Sequence, residues 1–265
     1  MVNGIYYPEG EAALTDLLAS WGLKKGFPAK GGQAIVVPHG AWDLTGGIAA
    51  TAFGGVQGSA DGDGIGRVLL LGPCHESGGD GIYLSESDFF ETPLGNLEVD
   101  KGLNRKLSSC STLIGINDIP HLSEHSIEVQ LPLVKYCFPN AQIVPILMDG
   151  SKPMLISALA KALRISLETY MKDCLIIISS TVSQNLDAAT AFTMANEFSS
   201  LLGGMDAQAF LAGLAEGRIS ACGGALMGAL LESGLLSGKR FSALVPLKQV
   251  KREEGETVYY GAFGA

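Results

Sequence analysis

Short apolar runs alternating with helix-period segments are the feature of this sequence that most restricts its fold. The runs AIVV (34–37), VLLL (68–71) and CLIIIS (174–179) are almost uninterrupted, which is typical of parallel strands buried on both faces. QIVPILM (142–148) and FSALVPL (241–247) also predict strands. The intervening segments place apolar residues three and four positions apart and predict helices: GEAALTDLLASW, LTGGIAATAF, SIEVQLPLVKYCF, MLISALAKALRISLETYM, LDAATAFTMANEFSSLL and ALMGALLESGLL.

This alternation predicts an α/β fold with a mostly parallel (mixed) central sheet and helices on both faces. The segment 81–100 differs, because its tight alternation is broken by Pro93-Leu94-Gly95. It predicts a hairpin-like excursion between the second strand and the next helix. No linker or repeat interrupts the 265 residues, so we expect a single domain over 1–265, long enough to bury one large core.

Composition excludes several classes of partner. A net charge of −9 and a pI near 4.9 argue against nucleic acid and anionic membranes, which require basic patches. No apolar run reaches the ~18 residues of a membrane span, and neither end has the pattern of a signal peptide. The five cysteines are scattered without paired spacing, which favours reduced thiols and a cytoplasmic location. No feature of the sequence indicates an oligomeric state.

Two of the four histidines lie just after predicted strands. His39 follows the first strand in VVPHGAWDLTGG, and His75 follows the second in LLLGPCHESGG. Ligands bind open parallel sheets at the carboxyl ends of the strands, so we expect the two imidazoles to line one crevice at the ends of neighbouring strands. Such a pair suits a metal ion. Alternatively, each histidine caps a loop or satisfies a buried carbonyl.

Four further side chains are candidates for the same site. Cys222 precedes a predicted helix, where exposed N–H groups stabilise a thiolate, although a free cysteine is often a small buried apolar residue. Cys74 competes with Cys222, but strand alternation directs its side chain away from that of His75. His121 and His125 have a zinc-chelating spacing. They lie in a loop leading into a helix, where His125 with Glu124 and Glu128 also fits an ordinary polar helix start.

Several of these motifs together resemble the Memo family (AmmeMemoRadiSam system protein B), whose fold is similar to that of the class III extradiol dioxygenases. From about Ile35 to Cys222 the matching segments keep the family's order: VVPHGAWDLTGG, LLLGPCHESGG, DFFETPLGNLEVD, EHSIEVQLPLV, IVPILM, IISS and ACGG. The pair ETPLG…VD and EHS-x-E-x-QLP is the most specific part of the resemblance.

The resemblance implies a metal site. The family's metal-binding histidines match His39 and His75, and its helix-leading cysteine matches Cys222. The His-Ser pair of its Glu-His-Ser motif matches His125-Ser126, at the rim of the site. The implied metal is Fe²⁺, with copper and zinc as alternatives because a cysteine makes the site softer.

This chain also departs from the family pattern. Gly40-Ala41 reverses two residues of the first motif, and Glu76 stands where the family has a histidine. Thr181 and Gln184 occupy the positions of an aspartate and a histidine. Neither threonine nor glutamine shuttles protons near neutral pH. Either His125 or Glu76 therefore substitutes as the catalytic acid–base group, or the chemistry is changed or lost.

Two functions of different classes follow. The first is a mononuclear metal enzyme, with dioxygenase-like redox chemistry on a small organic substrate. The second is a non-catalytic module that binds a small molecule or a peptide in the crevice, with a degenerate active site. Metal-assisted hydrolysis, with Glu76 as the base, is a weaker third option.

Overall fold

The computed structural model describes residues 2–27, 29, 31, 33–56, 64–76, 79–252 and 255–265. Its strands are β1 (Gln33–Val37), β2 (Arg67–Pro73), β3 (Gly81–Leu84), β4 (Phe89–Phe90), β5 (Leu97–Glu98), β6 (Ile114–Ile116), β7 (Gln142–Asp149), β8 (Cys174–Ser179), β9 (Ser183–Asn185), β10 (Ser242–Ala243), β11 (Lys248–Lys251), β12 (Thr257–Tyr260) and β13 (Phe263–Gly264).

The helices are α1 (Glu11–Ser20), α2 (Trp42–Gly55), α3 (Lys101–Ser108), α4 (Ile119–Ser123), α5 (His125–Glu128), α6 (Leu131–Cys137), α7 (Pro153–Leu167), α8 (Ala188–Gly204), α9 (Ala207–Ala215) and α10 (Gly224–Ser233). None of these helices combines the length and the apolar character that crossing a bilayer requires. Ser77 and Gly78, in the second of the matching motifs, lie outside the described residues.

The central sheet confirms the predicted α/β class. Its eight strands have the order β10-β13-β1-β8-β2-β7-β3-β6. The central run β1-β8-β2-β7 is parallel, whereas β13 and β3 pair antiparallel to it on either side. A smaller antiparallel sheet, β11-β12-β9, lies apart from the central sheet.

Alternate residues of the central strands enter two different cores. Val36, Leu69 and Leu71 belong to a cluster that includes buried residues of α7, α8 and α10. Ile35 and Leu70 belong to a second cluster, formed with α1, α2 and α6. Burial on both faces explains why these strands read as continuous apolar runs.

Three of the predicted elements differ in detail from those in the structure. The run 241–247 contributes only the exposed two-residue strand β10. The segment 126–138 forms two short helices, α5 and α6, separated near Pro132, because a proline ring clashes with the carbonyl four residues earlier. Within 81–100, β3 joins the central sheet, and only β4 and β5 form the hairpin-like pair.

The order of the strands corrects one expectation. His39 and His75 follow β1 and β2, but these strands are not neighbours, because β8 lies between them and pairs with both. A continuous apolar run predicts that a strand is buried on both faces, but it does not predict which strands pair with it. The three parallel strands still end at one edge of the sheet, since Val37 pairs with Ser179 and Leu71 with Ile178.

Candidate metal centre

Three histidines converge at this edge of the sheet. The ring centroids of His39, His75 and His125 are 5.0–5.4 Å apart in each pair. One ring nitrogen from each lies within 4.8 Å of the other two, an arrangement that can hold a metal ion. His39 comes from the loop after β1, His75 from the loop after β2, and His125 from the first residue of α5.

Glu124 fixes the orientation of His75. Its carboxylate is 1% exposed and lies 2.9 Å from His75 Nδ1, and it accepts a hydrogen bond from the His75 backbone N–H at 2.6 Å. A hydrogen bond from Nδ1–H to a carboxylate leaves Nε2 free for a metal. Despite burial, hydrogen bonds from His75 and from the Ser126 N–H lower the pKa of Glu124 to about 2. Sequence reasoning missed this role, although the Glu-His-Ser motif contained the signal.

His39 is oriented by a different partner. Its ring is buried, and Nδ1 lies 2.9 Å from Ser179 Oγ at the end of β8. Gln130 Nε2 donates to the same oxygen at 3.2 Å and to the Pro38 carbonyl at 2.8 Å. Ser179 Oγ can accept from both donors, so the Nε2 of His39 is directed toward the cluster.

Cys222 lies against this cluster, immediately before α10. Its Sγ is 3.5 Å from His39 Nε2, close to the ~3.6 Å separation of a nitrogen and a sulfur that share a tetrahedral zinc ion. The backbone N–H and the hydroxyl of Thr181 donate to Sγ at 3.1 and 3.2 Å. Burial opposes ionisation, but the charge of His39 and hydrogen bonds from His39, His75 and Thr181 hold the pKa of Cys222 well below its usual range.

The remaining imidazoles differ in their protonation. The hydrogen bonds to Cys222 and Glu124 raise the pKa of His75 to about 10. Burial and the neighbouring His39 lower the pKa of His125 to about 4. His121 lies away from the cluster, packed on Phe90 with Nε2 3.2 Å from the Tyr83 carbonyl.

The three-histidine set, His39, His75 and His125, is the one whose ring nitrogens lie close enough together to hold a metal ion. The predicted set, which has the Cys222 thiolate in place of His125, stays a prediction, supported by the contact of Cys222 with His39. Imidazole and thiolate suit iron, copper and zinc. All five cysteines are free thiols.

A cavity of about 600 Å³ opens onto the cluster. Its lining is Ile5, Tyr6, His39, Gly40, Ala41, Leu44, His75, His125, Thr181, Gln184, Cys222, Arg252 and Tyr260. Thr181 and Gln184 thus line the same cavity as the histidines. Glu76 is exposed and is not part of this lining, so its catalytic role stays a prediction. Cys74 borders a separate cavity, which Cys222 also lines.

The reversed Gly40-Ala41 pair has a steric reason. A Cβ at position 40 would lie 2.8 Å from Thr45 Cγ2, well inside van der Waals contact. The Thr45 hydroxyl donates to the Gly40 carbonyl at 2.8 Å, so Thr45 is held in place. Glycine therefore suits the residue after His39 in this chain.

Curated proteins of one family are similar to this chain in sequence. A MEMO1 family protein of Sulfolobus acidocaldarius is 32% identical over 159 residues, 59% of this chain and 54% of that protein. The MEMO1 family protein of Metallosphaera sedula is 28% identical over 194 residues, 69% of this chain and 67% of that protein. The chain thus spans about half to two thirds of the length of these curated relatives.

One solved structure shows the same fold at low identity. An uncharacterized protein of Escherichia coli K12 superposes with a TM-score of 0.54 and 12% identity, covering 88% of this chain and 98% of that chain. The family model described as Memo-like protein matches residues 1–260. Because that match covers almost the whole sequence, the chain belongs to the Memo family.

Proposed function

We propose that this protein is a mononuclear metal-dependent oxidoreductase acting on a small organic substrate in the cavity. Support comes mainly from three imidazoles converging beside a thiolate, with the tautomer of His75 set by a buried carboxylate. His39, His75 and Cys222 would hold the metal. Iron(II) is the favoured ion, with copper or zinc as alternatives, because two nitrogens and one anionic donor leave coordination positions open. Iron or copper would supply the redox chemistry that side chains lack, whereas zinc is redox-inactive and would supply only Lewis acidity.

In this proposal, His125 is the acid–base group that transfers protons. Its lowered pKa keeps the imidazole neutral at pH 7, so it can accept a proton from a bound substrate. Its side chain is 24% exposed and lines the cavity. Tyr6 packs on the ring with centroids 4.9 Å apart, which limits the access of water to one side. Thr181 holds Cys222 through two hydrogen bonds and takes no part in proton transfer.

Metal content is the first test. We expect about one metal ion per chain after anaerobic purification, measured by elemental analysis. His39→Gln and His75→Gln should each lose most of the metal. His121→Gln is the matched control, since His121 is partly buried but lies outside the cluster. Wild-type protein without stoichiometric metal, or loss in the control alone, would overturn the proposal.

A second candidate is a non-catalytic binding module. Thr181 and Gln184 favour it, because both line the cavity where the family pattern has ionisable residues. Oxygen consumption by the metal-loaded protein, measured across catechol-like and peptide ligands, separates the two functions. Ligand binding without oxygen uptake would support the binding module, and uptake that is lost in His125→Gln would support the enzyme.

A further inference from the structure

The small sheet β11-β12-β9 forms one wall of the cavity. Its register pairs Gln184 with Val258 and Lys248 with Tyr260. Residues two apart along a strand, and residues directly paired across strands, share a face. Gln184 and Tyr260 therefore lie on one face. Arg252 follows β11 on the same face, with its backbone N–H donating to the Glu256 carbonyl, and all three side chains line the cavity.

The charge of this wall is unusual for an acidic protein. The chain carries a net charge of −9, yet among the described residues lining the cavity none is a carboxylate and Arg252 is a cation. The nearby Glu124 is buried and already accepts hydrogen bonds from His75 and Ser126. A ligand entering the cavity thus meets a guanidinium whose carboxylate partner, Glu256, lies outside the described lining, and the anionic group within that lining is the Cys222 thiolate.

Arg252 is held in place but can still bind a ligand. Nη2 donates to the Tyr260 hydroxyl at 3.4 Å, and Nη1 lies 3.3 Å from Glu256 Oε2. The side chain is 46% exposed, and exposed ion pairs of this kind contribute little. A guanidinium has five N–H donors in a planar fork that matches a carboxylate, so donors remain available.

Polar groups around Arg252 extend toward the metal centre. The Tyr260 hydroxyl would lie 3.5 Å from a Cβ at Gly40, the residue that follows His39. The side-chain amide of Gln184 has no hydrogen-bond partner among the described residues and faces the same space. Arg252, Tyr260 and Gln184 thus form a polar strip on one wall of the cavity that the imidazoles also line.

We propose that this strip binds the carboxylate of a small organic acid, with Arg252 as its main anchor and the rest of the ligand reaching toward the histidines. The inference rests on the proposed function for what happens at the end of the ligand near the histidines. Binding of the carboxylate by Arg252 does not require the metal. A neutral isostere should therefore bind more weakly with or without metal.

The test uses 4-hydroxybenzoate and its neutral isostere 4-hydroxybenzamide as probes. Their affinities are measured by calorimetry on metal-loaded and metal-depleted protein. We expect wild type to prefer the carboxylate about tenfold, since charge-assisted hydrogen bonds are roughly twice as strong as neutral ones. Arg252→Gln should abolish the preference, and Arg252→Lys should keep part of it.

Lys251→Gln is the matched control, because it removes the same charge from the exposed neighbouring position on the opposite face of the hairpin. It should leave the preference unchanged. Equal binding of the two probes, binding of neither, or a preference that survives Arg252→Gln would overturn the inference. A preference for the carboxylate probe in protein that takes up no metal would support the inference and contradict the proposed function. Metal uptake without a preference for the carboxylate probe would support the proposed function and contradict the inference.

Discussion

At the scale of single residues, Glu124 contributes most to the geometry of the candidate metal centre. Its buried carboxylate contacts Nδ1 of His75 and lies 3.3 Å from Nδ1 of His125, so one side chain is placed between two imidazoles. It also caps α5 by accepting from the Ser126 N–H at 2.8 Å. One acidic residue thus couples the start of a helix to the orientation of the site.

Glu124→Gln should weaken metal binding about 10- to 100-fold, as is typical when the partner of a metal-binding histidine is removed. The amide keeps the shape of the side chain but loses the charge that fixes the tautomer of His75. Metal affinity is measured by competition with a chromophoric chelator. Glu76→Gln is the control: it should leave the affinity unchanged, and a loss of turnover in that variant would support the predicted catalytic role of Glu76. Equal affinities of Glu124→Gln and wild type would contradict the assignment.

At the scale of elements, Gly72 allows α5 to approach β2. A Cβ at this position would lie 2.4 Å from Ser126 Oγ and 2.8 Å from Ile127 Cγ1. The close approach lets the Ser126 hydroxyl donate to the Pro73 carbonyl at 2.8 Å. The position of His125 beside His75 therefore depends on the absence of a side chain at Gly72, three residues before His75.

Gly72→Ala should displace α5 and cost about 1–3 kcal/mol of stability, the usual range for overpacking, together with part of the metal affinity. Urea unfolding gives the first quantity and chelator competition the second. Gly115→Ala is the matched control, because Gly115 also lies in a strand and a Cβ there meets nothing within 4 Å. A Gly72 variant as stable as the control would disprove this packing role.

The elements also show how much the sequence could predict. The strands β1, β2, β7 and β8 were predictable, because burial on both faces imposes continuous apolar runs. The helices α3, α4 and α9 were not predicted. Helix α4 contains His121, which the sequence placed in a loop, and α3 has only three buried residues and is capped by the Asp100 side chain. The motifs predicted that His39, His75 and Cys222 share one site, and His39 does lie beside both His75 and Cys222. The contacts of Glu124 and Ser179 depend on strand order, which a hydrophobic pattern does not encode.

At the scale of the whole molecule, the pKa values predict how stability depends on pH. Burial lowers the pKa of His121 and of His125 to about 4, against about 6.5 in an unfolded chain. Between these values the unfolded chain binds protons that the folded protein excludes, so stability is complete above pH 6.5 and falls as the pH drops toward 4. Glu124, with a pKa of about 2, adds a further loss below pH 4.5. His75 acts oppositely, since its raised pKa stabilises the folded state below pH 6.5 and this contribution disappears toward pH 10.

We therefore expect the metal-depleted protein to lose stability from pH 7 to pH 4.5, by about 1–3 kcal/mol for each buried histidine. Urea titrations at the two pH values measure the loss. His121→Gln should reduce it, because a glutamine has no proton to gain. A loss of the same size in the variant would exclude His121 as a contributor.

The position of β8 between β1 and β2 has a consequence for how the protein comes to bind metal. His39 and Cys222 are separated by 183 residues along the chain. Ser179, the last residue of β8, contacts His39, and Thr181, two residues later, donates to Cys222. In the sheet, β8 lies between two strands that precede it in the sequence. A partly folded chain with only the first two strands in place lacks both the central strand and the thiol. Metal uptake at the proposed site would thus show that the sheet is complete. Once bound, the ion would tie the ends of separate chain segments together and make local opening of this edge costly.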